Sequence, residues 1–85
     1  MVKKKRAKRD TYLYSLKDGN RIVYIGQSQN PPEREQEHRS SEKKFTKMDV
    51  RPIPMSEKTA LKREEEWIES YKSSHDGKPP KYNKD

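Results

Sequence analysis

The sequence predicts an α+β domain, a small antiparallel sheet flanked by helices. Three observations carry this. Two runs rich in β-branched and aromatic residues, "TYLYSL" and "RIVYIG", flank the turn "KDGN"; a cap-and-proline start stands at Asn30; and the segment after Ser56 repeats apolar residues at helical spacing.

The first two runs form a hairpin, with Asp18-Gly19 supplying the positive φ angles of the turn. Next, Asn30 caps a helix that opens on Pro31 and Pro32, and Glu33 sits where its carboxylate favours the positive helix end; the helix should reach about Glu42. From Glu33 to Lys44 it has no aliphatic, Met or aromatic residue, so no apolar stripe anchors it. "MDVRPIPM" has strand-like residues, but Pro52 and Pro54 cannot donate to a ladder, so this piece lies at a sheet edge or ends early. Ser56 then caps a helix through roughly Ser74, stopped by Gly77, whose core face is Ala60, Leu61, Trp67, Ile68 and Tyr71.

Composition sets the limits. A chain of 85 residues holds one small domain, and 26% hydrophobic against 41% charged residues is a balance found in disordered chains. Clustering of the apolar residues and five Tyr plus one Trp argue instead for a thin core. A net charge of +7, concentrated at Lys3, Lys4, Lys5, Arg6, Lys8 and Arg9, points to a polyanion, so residues 1–10 read as a flexible basic arm and 11–85 as the domain. No apolar run approaches membrane length or a signal peptide, which predicts a cytoplasmic protein of a bacterium, an archaeon or a phage. Cysteine is absent, which excludes disulfides and thiolate metal sites.

Two placements conflict with packing alone. Glu64 falls within the apolar arc of the long helix while Glu65 and Glu66 fall outside it, and a carboxylate on such a face needs a cation, a metal or a donor. The plainer alternatives are that Glu64 sits at the edge of the arc or pairs with a structural Arg. Arg34 and His38 lie four apart, hence on one side of a helix that has no apolar residue to bury. Surface helices often carry such pairs, but here a polar partner must give that face its purpose.

Together, "YLY" and "YIG" separated by nine residues, "ERxxxH", "EExW" and "YN" resemble a GIY-YIG nuclease domain over residues 11–83. The first element departs from the family pattern: Tyr12 and Leu13 replace its Gly and Ile, and Tyr14 alone is kept. Glu35 stands where an aromatic commonly follows the arginine. The resemblance implies a three-stranded antiparallel sheet flanked by helices. Tyr14 and Tyr24 should then share a face, which a plain hairpin pairing Tyr14 with Val23 forbids, so a bulge or odd-length loop is expected around Lys17 to Arg21. Gly26 is expected to let the backbone turn beside the phosphate.

The resemblance also implies chemistry: a DNA endonuclease, with RNA not excluded, that hydrolyses phosphodiester bonds and leaves 5′-phosphate and 3′-hydroxyl ends. Glu64 would hold one Mg²⁺ or Mn²⁺ per active site; Arg34 would grip the phosphate; Tyr14 would act as base or water-positioning group, aided by Tyr24; His38 would accept a proton. Asn83 would fix the C-terminal segment or contact phosphate, and Ser28 would donate to it. The chain is expected to act as a monomer that nicks or a weak homodimer that cuts both strands, with weak sequence preference unless dimerisation or a separate targeting protein supplies it. The alternative is a non-catalytic basic nucleic-acid-binding protein on the same fold.

Overall fold

In the computed structural model, residues 9–83 are described, so Lys3, Lys4, Lys5, Arg6 and Lys8 of the basic arm lie outside the described residues. The elements run β1 (Tyr12–Asp18), β2 (Arg21–Ser28), α1 (Pro31–Ser40), β3 (Lys47–Val50) and α2 (Glu57–Ser73). The strands form one antiparallel sheet in the order β2-β1-β3. β3 stops before Pro52 and lies at an edge, where the prolines require it.

The hairpin differs from expectation in its turn. Asp18 is still paired, with Arg21, and the loop is Gly19-Asn20, in which only Gly19 takes a positive φ, 69°. The expected bulge is present but falls just beyond the Lys17 to Arg21 stretch, at Val23 of β2. Leu16 pairs with Tyr24 and Lys17 with Ile22, so Val23 is the extra residue. Tyr14 accordingly pairs with Gly26, and Tyr14, Leu16, Tyr24 and Gly26 point to the same side of the sheet.

That side carries the fully buried Tyr14 and Leu16 with Val23, lined by Tyr24, Phe45, Met48 and Tyr82. α1 covers it through a single buried residue, His38. The helix ends at Ser40 and not near Glu42, because the Ser41 N–H and hydroxyl both turn back to the His38 carbonyl. Alternate β1 residues face α2: Leu13 and Ser15 each border Trp67.

α2 is capped by Ser56, whose side chain accepts the Thr59 N–H, and it buries Ala60 completely. Trp67, Ile68 and Tyr71 are half-buried, whereas Leu61 is exposed at 51%, which corrects the expected core face. The buried arc is narrower than the periodicity implies because a thin sheet covers only one or two residues per turn. Glu64 lies on its half-buried flank, while Glu65 and Glu66 are in solvent.

Candidate active site

The site is assembled at β2. Tyr14 from β1 and Tyr24 from β2 bring their rings to 6.1 Å, and His38 descends from α1 to 5.7 Å from the first and 5.0 Å from the second. The Tyr14 hydroxyl and His38 Nε2 are 2.8 Å apart, a buried hydrogen bond across 24 residues. Phe45 stands edge-on behind the imidazole at 6.4 Å.

Gly26 does not turn the chain; it lies within the strand, and its function is space. A Cβ there would come within 2.7 Å of the Tyr24 ring and 2.8 Å of the Tyr14 hydroxyl. The two phenols close over a backbone that has no side chain to block them.

The next residue, Gln27, holds the carboxylate: its Nε2 donates to Glu64 Oε1 at 2.8 Å. Gln27 is the ladder partner of Leu13 and therefore faces α2, so Glu64 meets β2 from the side opposite α1. Arg34 is exposed on the first turn of α1, and its Nε pairs with Glu37 at 3.1 Å, so its fork is not free as the sequence implies. It borders a hollow that also holds Ser28, Asn30, Glu33 and Glu57. Ser28 is buried and its hydroxyl oxygen accepts the Asn30 N–H at 2.9 Å, which fixes the entry to α1. Arg34 and His38 thus share a helix, the first exposed and the second buried.

Asn83 bonds the backbone of β2 through both ends of its side-chain amide. Its Oδ1 accepts from the Ile25 N–H at 2.7 Å and its Nδ2 donates to the Ile25 carbonyl at 2.9 Å, while the Tyr82 N–H donates to the Val23 carbonyl. The C-terminal segment is clipped to the outer edge of β2 between Tyr24 and Gly26.

Electrostatics follow from this packing. Burial raises the Tyr14 phenol well above its ordinary value, with Tyr24 adding to the effect. Burial also raises Tyr24, with the Glu64 charge working in the same direction and Arg34 against it. His38 is lowered, first by burial and then by Lys43 and Arg34, so its ring is neutral near pH 7. Both charged groups therefore act on the aromatic cluster.

Against this geometry, the family model for the GIY-YIG catalytic domain matches residues 10–83. The chain belongs to the GIY-YIG family. The match spans the whole sheet, both helices and the Asn83 clip, and a nuclease domain takes a nucleic-acid substrate. No curated protein and no solved structure matches. Among the described residues no helix is long and apolar enough to cross a membrane.

Three participants in this GIY-YIG site lack a local sequence signal: Gln27 beside Glu64, Lys43 with its Nζ 5.5 Å from the Tyr24 ring centre, and Phe45 behind His38. Among the described residues no group of three or more His, Cys, Asp or Glu side chains converges. Glu64 is a lone half-buried carboxylate with one oxygen fixed by Gln27, a donor set that suits a hard ion which keeps most of its waters.

Proposed function

We propose that this GIY-YIG domain is a divalent-metal-dependent DNA endonuclease that hydrolyses one phosphodiester bond per encounter and so nicks as a monomer. The 2.8 Å contact of Tyr14 with His38, beside Tyr24 and within the fields of Arg34 and Glu64, is the observation that carries this reading.

A buried tyrosine with a raised pKa is a poor base by itself. A neutral imidazole at hydrogen-bond distance changes that. Tyr14 donates its proton to His38 Nε2 as its oxygen takes one from the attacking water, so no free phenolate accumulates. The resulting hydroxide attacks phosphorus in line, the P–O3′ bond breaks, and the departing oxygen takes a proton from solvent; the products are a 5′-phosphate and a 3′-hydroxyl. Tyr24 orients the water. Arg34 leaves Glu37 for the phosphate, which accepts two parallel hydrogen bonds from its planar fork. A Mg²⁺ or Mn²⁺ ion held by Glu64 would polarise the phosphate oxygens and stabilise the leaving oxygen.

Supercoiled plasmid incubated with wild type, Arg34→Ala and Glu64→Ala in Mg²⁺ or in EDTA tests this. Wild type should convert plasmid to open circles only with the ion, and each variant should lose about two orders of magnitude or more in rate. Equal cleavage by all three proteins would reject the site.

A further inference from the structure

The surroundings of the site are electrically lopsided. On one side, Arg34 is, among the described residues, the sole cation bordering a hollow that also holds Glu33, Glu37 and Glu57, and it is already paired with Glu37. On the other, the stretch after α1 and the C-terminal segment bring cations and aromatic rings together. Lys43 Nζ sits 5.5 Å from the Tyr24 ring centre and 6.0 Å from that of Tyr82, and Lys81 Nζ lies 5.3 Å from Tyr82. The Lys44 N–H donates to the Tyr82 hydroxyl at 3.0 Å, and Lys43, Lys44 and Phe45 line one hollow with Arg39, Thr46 and a single carboxylate, Asp18. Arg39 lies over Phe45 at 4.5 Å but is tied to Glu35.

Among the described residues, Lys43, Lys44 and Lys81 form no ion pair, unlike Lys17, Lys72, Arg34 and Arg39. The Lys43 and Lys81 ammonium groups sit against ring faces, and among the described residues none of the three lysines has an ion-paired carboxylate to displace. Lys43 is close enough to the reacting groups to act on His38, where its charge is the largest influence after burial. Among the described residues, a polyanionic strand leaving the cut phosphate meets a mostly acidic hollow in one direction and, in the other, a row of lysines that form no ion pair.

We propose that Lys43, Lys44 and Lys81 form the binding track for the DNA backbone flanking the scissile phosphate, so that the substrate leaves the site over this surface and not across the Glu33, Glu37 and Glu57 side. This rests on the nuclease reading of the site. It adds the direction of the substrate and the residues that hold it. The aromatic rings between the lysines keep the ammonium groups at a fixed height and offer faces on which a frayed base can stack.

The test is the salt dependence of binding to a short labelled DNA duplex in EDTA, between about 50 and 200 mM salt. Wild type is compared with Lys43→Ala/Lys44→Ala/Lys81→Ala and with a triple of equal charge on α2, Lys58→Ala/Lys62→Ala/Arg63→Ala. Each lost phosphate contact changes the slope of log K against log salt by about 0.9, so the track variant should lose about 2 to 3 and the α2 variant less than about 1. An unchanged slope in the track variant, or the same loss in both, overturns the proposal. Should the triple fail to fold, the exposed pair Lys44→Ala/Lys81→Ala should still lose about 1.8. Cleavage of plasmid by wild type is scored separately. Cleavage with an unchanged slope in the track variant rejects only the track; a reduced slope with no wild-type cleavage rejects only the nuclease reading.

Discussion

At the scale of single residues, the Tyr14 hydroxyl and Gly26 depend on each other. The hydroxyl reaches His38 because it passes over a backbone position without a Cβ. Tyr14→Phe removes the proton conduit but keeps the ring in the core. Its cleavage rate should fall by about 10²- to 10⁴-fold with duplex affinity in EDTA unchanged, as read by single-turnover kinetics and a binding titration. Gly26→Ala should be as damaging from the opposite cause, because the added methyl meets two ring contacts below 3.0 Å and one phenol must leave. A Gly26→Ala protein that cleaves at the wild-type rate would show that the closely spaced pair is not required. The shared face of Tyr14 and Tyr24 and the half-buried flank position of Glu64 were legible from motif order and helical arc. Gln27 was not, since a glutamine beside a strand end gives no periodic signal and its use depends on α2 packing from the far side. Nor was the Arg34–Glu37 pair, because a helix of mixed charge offers many pairings at the same spacing.

At the scale of elements, β2 and α1 each break a local rule, and the site explains both. The Val23 bulge is what lets Tyr14 and Tyr24 share a face. Its need could be argued from side-chain parity; its place could not, because the two-residue turn and the bulge share one constraint and the sequence does not divide it between them. α1 is the more unusual case. It was predicted to lack an apolar anchor, and what anchors it is His38, an ionisable group used as a core residue. Burial lowers the His38 pKa, so the unfolded chain binds the proton more readily than the folded one. The stability this group contributes is complete above the usual value of ~6.5 and is lost as pH falls from there through the lower folded value. Cleavage should decline over the same window, because protonated Nε2 cannot accept from Tyr14. Amide exchange of α1, corrected for its intrinsic pH dependence, should gain relative to α2 as pH drops from 7 to about 5. Uniform behaviour of both helices would show that His38 does not hold α1.

At the scale of the whole molecule, the chain folds with few apolar residues because the sheet is narrow and polar side chains complete its margins. The element order and the edge position of β3 follow from turn chemistry, caps and prolines. The width of the apolar face on α2 does not, since Leu61 fits the helical period yet finds no sheet beneath it. The Asn83 clip has a consequence beyond catalysis. Its side-chain amide occupies both the N–H and the carbonyl of Ile25, as a neighbouring strand would, and the Tyr82 N–H takes the Val23 carbonyl. An open strand edge is a template for pairing between molecules, and β2, which contains "RIVYI", is the most β-prone stretch of this sequence. Asn83 is therefore a guard against aggregation as well as a brace for the site. Asn83→Ala should lose activity and also self-associate, seen as light scattering that rises with protein concentration. Asn83→Ala that is inactive yet stays monodisperse would separate the two duties. In a protein with so little core, one amide closes both the active centre and the edge through which the fold would otherwise recruit its own copies.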